Sequence, residues 1–261
     1  MGTRKVAIIT GASKGIGQGV AMQLALQGLA VAVTSRNKQH AEHIAEEIKK
    51  AGGEALGLEF NLEHETTLSK LIDDTVAHYG RLDILVNNAM STSCVPPLDN
   101  LSPEQISFAI NANLTNTLLL TQLARPHLKK TEGNVLNIGS VVVNRHILGM
   151  PLYAIIKGAI VQMTKALAAE WASDNIRVNC INPGFIRSSS LDELKLPPEA
   201  LAAIERHCVQ FHPLGNRIGE PKDVGDLATY LTSDAANLMT GTVINLDAGL
   251  SIQGFSMQPA G

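Results

Sequence analysis

Short apolar runs and helical segments alternate along this chain. The runs are Lys5–Thr10, Ala30–Ser35, Glu54–Phe60, Leu82–Val86, Asn134–Ile138, Ile176–Ile181 and Thr242–Leu246. Brief, apolar and rich in β-branched residues, they read as buried strands. Between them, Gly15–Gly28, Asn37–Ala51, His64–Tyr79, Pro103–Lys130 and Leu152–Trp171 carry helical spacing, and Gly52-Gly53 stops the second of these helices. Pro221 opens one more helix, at a position where its missing N–H costs nothing. The stretch 188–211 is irregular, contains Pro197-Pro198 and has room for a short helix. Strands joined through helices must run parallel, and each right-handed crossover lays its helix on one face of the sheet. The fold class expected is α/β, a single doubly wound parallel sheet with helices on both faces. With no linker, charge block or low-complexity segment between the units, residues 1–261 read as one domain, with a substrate loop at about 188–212. In such sheets ligands sit beyond the carboxyl ends of the strands.

Composition removes several classes of function. Apolar residues are 45% and charged residues 17% of the chain, enough for a packed core and too apolar for disorder. Lys and Arg number 21 against 24 Asp and Glu, a net charge of −3, so neither nucleic acid nor an anionic membrane is the expected partner. Aromatics at 3% leave little for base stacking. Cys94, Cys180 and Cys208 are odd in number and scattered, which excludes a disulfide framework or a CxxC zinc site and favours a reducing compartment. The histidines are scattered too, and no metal site is expected. The opening MGTRKVAIITGAS is too short in apolar residues for a signal-peptide core, and no stretch approaches a membrane span. A cytoplasmic protein is the expectation.

The first strand runs into Thr10-Gly11-Ala12-Ser13-Lys14-Gly15-Ile16-Gly17. Glycines let a backbone turn sharply against a pyrophosphate, and the helix that follows offers free N–H groups and the positive end of its dipole. Two rival patterns overlap it. Gly11-Ala12-Ser13-Lys14-Gly15 matches a hydrolase nucleophile elbow, but that elbow needs an oxyanion donor from an earlier strand–helix loop, and no strand precedes this one. The phosphate-binding loop of nucleotide hydrolases needs Gly-Lys-Ser/Thr at its end, and here Lys14 precedes the glycine.

A second constellation lies further on. Tyr153 and Lys157 stand four residues apart on one helical face. An ammonium beside a phenol favours the phenolate, so the pair can pass a proton to or from an alkoxide. Ser140 follows the strand Asn134–Ile138, where its hydroxyl can hold a carbonyl oxygen.

Thr-Gly-Ala-Ser-Lys-Gly-Ile-Gly at 10–17, Asn-Asn-Ala at 87–89, Ser140, Tyr153-x-x-x-Lys157 and Asn182-Pro183-Gly184 share the order and spacing of one family. So do the closing segments 217–224 and 240–249. Over essentially its whole length the chain resembles the short-chain dehydrogenases/reductases, whose sheet is Rossmann-like. The resemblance implies an oxidoreductase that moves a hydride between a nicotinamide and a carbonyl or secondary alcohol. By it, Asn113 holds a water in the proton relay, Ser140 orients the substrate oxygen, and Tyr153 is the general acid in reduction and the base in oxidation. Lys157 binds the nicotinamide ribose and polarises Tyr153. Gly11, Ser13, Gly15, Ile16 and Gly17 hold the pyrophosphate side. Asn88 and Ala89 lie along the cofactor ribose, Asn61 and Leu62 at the adenine, and Pro183, Gly184, Ile186 and Ser188 at the carboxamide. A homotetramer built on the helices around 103–130 and 152–171 is also implied; their small and apolar residues lie on more than one face.

Three departures stand out: Met90 where the family has Gly, Ile156 where small residues are usual, and Asn61 where an aspartate often meets adenine. Met90, Ser140, Val142, Met150, Tyr153 and Phe185 form the expected substrate wall, mostly apolar, with no charge clamp. Asp174 lies where carrier-protein reductases tend to have a basic residue, which speaks against a carrier-bound acyl substrate. The other classes kept open are a 3-oxoacyl reductase of that kind, a dinucleotide sensor without catalysis, and a hydrolase built on Ser13, which would act without nicotinamide. For the cofactor, the second strand ends in Thr34-Ser35-Arg36-Asn37 with no carboxylate to grip a ribose. Arg36 offers paired donors to a 2′-phosphate, with Lys14, Ser35 and Asn37 in support. NADP(H) is therefore the expected cofactor.

Overall fold

The computed structural model describes residues 4–187, 197–215 and 217–252. Its strands are β1 (Val6–Ile9), β2 (Ala30–Ser35), β3 (Glu54–Glu59), β4 (Ile84–Asn87), β5 (Asn134–Ile138), β6 (Arg177–Pro183) and β7 (Val243–Leu246). All pair parallel in the order β3-β2-β1-β4-β5-β6-β7. The chain winds outward from β1 to β3, then returns to β4 on the other side of β1, so the switch point lies between β1 and β4.

The strand period of two sorts the core into two layers. Ala7, Ile9, Val31, Val33, Val86 and Ile138 face α1 (Gly15–Leu26), α2 (Lys38–Lys50) and a late helix, Pro221–Thr232. Ile8, Ala32, Leu85, Val135 and Val178 face α3 (Thr66–Tyr79) and the middle helices. Those middle helices are α4 (Pro103–Ile110), α5 (Asn116–Thr131) and α6 (Pro151–Trp171); α7 (Pro198–Val209) follows β6, and Pro221–Thr232 is α8.

Two expectations are corrected. The segment Pro103–Lys130 is not one continuous helix: a single π-helical turn, Asn111–Thr115, interrupts it between α4 and α5. On either side of it the two helices face different clusters, Ile106, Ala109 and Ile110 of α4 packing with Cys94 and Ile156, and Leu120, Ala124 and Leu128 of α5 packing on the sheet; such turns gather at functional sites. The second concerns membrane-span length. The stretch Pro151–Asp174 does reach it by length and composition. This helix is apolar because α6 is a core helix: Leu152, Ile156, Ile160, Met163, Ala168 and Trp171 are all buried.

Candidate active site

At the carboxyl edge of β1, Gly11 turns the chain at φ +63°, and a Cβ there would come within 2.9 Å of the Ala89 backbone. Thr34 holds the turn from β2: its Oγ1 accepts from Gly11 N at 3.0 Å and its carbonyl from Ala12 N at 2.8 Å. Asn88 holds it from β4, donating through Nδ2 to Thr10 O (2.8 Å) and Gly11 O (3.0 Å). Gly17 lies so close beneath that a Cβ would collide with Gly11 O and Asn88 Nδ2. Thr10 completes the knot: Asn88 N and Ala89 N both donate to its Oγ1 at 2.9 Å. Gly15 then starts α1 at φ +56°. This helix has no side-chain cap at Lys14 and no acidic residue in its first turn, so its first N–H groups and positive dipole end are left for an anion. Ile16 packs into the core behind it. The Ser13 hydroxyl has no hydrogen-bond partner among the described residues, so nothing there activates it as a nucleophile.

Beyond β2, Arg36 is exposed and makes no hydrogen bond or ion pair with any described residue. Asn37 caps α2, accepting from Gln39 N at 2.9 Å, and donates its own N–H to Ser35 Oγ at 3.2 Å. The Ser35 hydroxyl proton and the Asn37 amide N–H groups are thereby left as donors beside Arg36. After β3, Asn61 Oδ1 accepts from Glu63 N at 3.1 Å, while Leu62 is buried and gives its carbonyl to Asn116 Nδ2 at 2.8 Å.

The second half of the site hangs on β5 and α6. Ser140 N donates to Asn182 Oδ1 at 3.1 Å, and Val142 N donates to Ser140 Oγ at 3.3 Å. With its oxygen so engaged, the Ser140 hydroxyl is turned to donate elsewhere. Lys157 is only 7% exposed; its Nζ donates to Ile138 O at 2.7 Å and lies 5.8 Å from the centre of the Tyr153 ring. Asn113 sits inside the π-turn, 3% exposed, with Nδ2 donating to Ser91 O and Ala109 O. Between them lies a cavity with room for about one water, lined by Asn87, Asn113, Ile138 and Lys157 among others. Asn87 Oδ1 is buried there without a hydrogen-bond partner, the kind of orphan that an internal water satisfies.

The expected substrate wall divides. Met90 and Tyr153 are half-buried and pack with Cys94, Leu152 and Ile156, so the bulky departures at 90 and 156 fill one another's neighbourhood. Met150 precedes α6 and is half-buried, whereas Val142, 1% exposed, supports the wall from behind. Phe185 stacks on His212 at 5.7 Å between ring centres. Pro183 and Gly184 close β6, Gly184 N donating to Leu246 O, and Ile186 bridges to Gly219. Ser188 lies outside the described residues, as does part of the expected loop 188–212; Pro198–Val209 within it is helical. Thr10, Thr34 and Asn182 carry the geometry without having been singled out. Thr10 and Asn182 stood inside quoted motifs, and only their side-chain bonds to neighbouring turns disclose their work.

A glycine turn at an uncapped helix and a Ser–Tyr–Lys set, on one edge of a parallel sheet, define an oxidoreductase class rather than a hydrolase. The family model described as Enoyl-(Acyl carrier protein) reductase matches residues 11–251. A tropinone reductase homolog of Arabidopsis thaliana is 35% identical over 97% of this chain and 94% of its own. The L-fucose dehydrogenase of Oryctolagus cuniculus is 35% identical over 95% and 85%. Among solved structures, a 7 alpha-hydroxysteroid dehydrogenase complexed with NADH and 7-oxo glycochenodeoxycholic acid superposes with a TM-score of 0.85. It is 33% identical and covers 94% of this chain and 93% of that one. A 3-ketoacyl-(acyl-carrier-protein) reductase from Brucella melitensis, also complexed with NADH, gives 0.82 at 30% identity, covering 95% and 98%. The chain belongs to the short-chain dehydrogenase/reductase family.

Proposed function

We propose that this protein is an NADP(H)-dependent oxidoreductase that interconverts a carbonyl and a secondary alcohol on a small or medium, mostly apolar substrate. The observation that carries the reading is the pairing of two half-sites on one sheet edge, the glycine cradle at β1 and the Ser140–Tyr153–Lys157 set at β5 and α6. The cradle fits a dinucleotide: Gly11 and Gly17 keep it clear of side chains, and the bare start of α1 suits a pyrophosphate. Once bound, a nicotinamide dinucleotide supplies or takes up the hydride at the substrate carbon. Ser140 donates a hydrogen bond to the substrate oxygen. In reduction Tyr153 gives its phenolic proton to that oxygen, and in oxidation it takes the proton back. Lys157, fixed by Ile138 O beside the Tyr153 ring, holds the ribose. A water in the cavity beside Asn113 and Lys157 reconnects the relay to solvent.

Preference for NADP(H) is supported by Arg36, exposed, unpaired among the described residues and followed by no carboxylate. The carrier-bound reading is opposed by Asp174, which binds Arg125 at 2.8 Å and Lys129 at 2.7 Å. The two cations hold its carboxyl below the usual carboxylate range, Lys129 foremost. A basic docking patch for an acidic carrier is thereby neutralised on that face. A homotetramer is supported by Phe108, Leu118, Leu123 and Ile155, apolar side chains exposed on α4, α5 and α6. A mass near 28 kDa by light scattering at micromolar concentration overturns that part. The three free thiols support a reducing, cytoplasmic location.

The test is a panel of ketones, aldehydes and secondary alcohols followed at the reduced-nicotinamide absorbance with both cofactors. Turnover of several apolar ketones with NADPH is expected. Cofactor binding without turnover across the panel favours the sensor.

A further inference from the structure

We infer that Glu63, acting through Ser91, is a positioning residue for Asn113. Glu63 lies on the loop after β3, on the far side of the cradle from Tyr153. Its carboxylate nevertheless accepts the Ser91 hydroxyl proton at 2.6 Å, a short, charge-assisted bond. Ser91 is 6% exposed and grips the Asn113 amide from both directions. Ser91 N donates to Asn113 Oδ1 at 2.7 Å, and Asn113 Nδ2 donates to Ser91 O at 3.2 Å. The same loop makes a second tie, Asn116 Nδ2 to Leu62 O at 2.8 Å. Asn113 and Asn116 lie in and just beyond the π-turn Asn111–Thr115, so the loop is fastened to the one irregular turn of this helical segment.

A π-turn is a local irregularity, and it stays in place only where its surroundings hold it. Ser91 supplies the hold, and Glu63 fixes Ser91. The hydroxyl also accepts from Ser93 N at 3.3 Å, which starts a short helical turn and keeps Ser91 in register with the residues after Ala89. Glu63 thus sets where Asn113, and the small cavity beside it, stand relative to Lys157. The inference rests on Asn113 belonging to the proton relay.

The experiment compares E63A, E63Q, S91A, the double variant E63A/S91A and N113A. Three quantities are read: hydrogen exchange of the backbone over 109–117, the dissociation constant for NADPH, and kcat on the best carbonyl of the panel. E63A and S91A should speed exchange over 109–117 about tenfold, the factor that one lost charge-assisted hydrogen bond supports. They should lower kcat by about tenfold, well inside the roughly hundredfold that a misplacement of about 1 Å costs. NADPH affinity should stay within about twofold, since the cradle is untouched. E63Q keeps an acceptor oxygen and should restore both readouts, and the double variant should be no worse than either single one. Unchanged exchange over 109–117 in E63A overturns the inference, as does weaker NADPH binding with kcat intact, which makes Glu63 a support of the adenine side alone. N113A with full kcat removes Asn113 from the relay instead, an outcome distinct from the others because the exchange result stands apart from it.

Discussion

The cleft at the amino edge of the sheet and the cradle at its carboxyl edge treat their polar groups in opposite ways. At the amino edge a cleft of about 570 Å³ is lined by Lys5, Asp83, Glu132, Arg177 and Asp234. Each of these groups has a partner within the chain. Lys5 meets Asp234 at 2.6 Å, Arg81 meets Asp83, and Asn175 donates to Glu132. Arg177 donates to Ser233 O, which ends α8, and to Met239 O beyond the turn that follows. Beside Asn113 and Lys157 at the carboxyl edge the cavity is much smaller, yet the groups of that edge are left open: the first N–H groups of α1, the Ser13 hydroxyl, Arg36 and Asn87 Oδ1. Satisfied polar groups hold a fold, and unsatisfied ones at a switch point wait for a ligand.

The largest effect that tests this contrast is at Tyr153. Phenylalanine keeps the ring and its packing with Leu152 and Ile156 but cannot exchange a proton. General acid–base groups contribute about 10²- to 10⁴-fold, so Y153F should lose at least that in kcat with NADPH affinity unchanged. K157A should lose both turnover and affinity, because in the proposed reading the ammonium serves Tyr153 and the ribose. Steady-state kinetics with NADPH titrations separate the two, and near-normal turnover by Y153F would remove the catalytic assignment.

How much of this was legible without coordinates follows from the kind of signal each residue gives. The sheet was legible because strand period and glycine turns are local. Tyr153, Lys157 and the turn 10–17 were legible because their chemistry sits at fixed spacing along one element. Asn113 was legible by resemblance alone, and the π-turn that carries it was not, since no residue type marks the place where α4 gives way to α5 and the two helices turn to different clusters. Thr10, Thr34 and Asn182 act by reaching to another strand, and no spacing encodes a bond such as Asn182 to Ser140. The membrane-length stretch at α6 misleads in the other direction: a helix buried by a sheet on one face and lined with small residues on the other has the composition of a span.

A middle-sized effect should come from Arg36, the open cation at the carboxyl edge. A charge-assisted hydrogen bond contributes roughly 1.5–3 kcal/mol, so losing one costs about ten- to a hundredfold in affinity. R36D removes the donors, repels a 2′-phosphate and offers an acceptor to a ribose hydroxyl. The ratio of kcat/KM with NADPH to that with NADH should favour NADPH in the natural chain and reverse in the variant. A natural ratio favouring NADH, as the cofactor in both solved relatives suggests for those proteins, would sink the 2′-phosphate assignment.

The smallest effect on activity should come from the amino edge, and that is what makes it informative. Asp83 is 3% exposed, accepts from Val6 N at 2.8 Å, and takes Arg81 through Nε at 2.9 Å and Nη2 at 2.6 Å. Replacing it by alanine orphans the first N–H of β1 and leaves the Arg81 guanidinium without its carboxylate. An unsatisfied buried donor costs about 1–3 kcal/mol, and at this chain length each kcal/mol moves Tm by about 2–4 °C. D83A should therefore melt roughly 5 °C lower, by calorimetry, with kcat/KM within about twofold of the natural chain. D83N retains an acceptor oxygen for Val6 N and should fall between. The opposite pattern, an unchanged Tm with kcat/KM down tenfold, would mean that the amino-edge cleft holds a ligand after all. The reading of this paired cleft as a structural one would then fail.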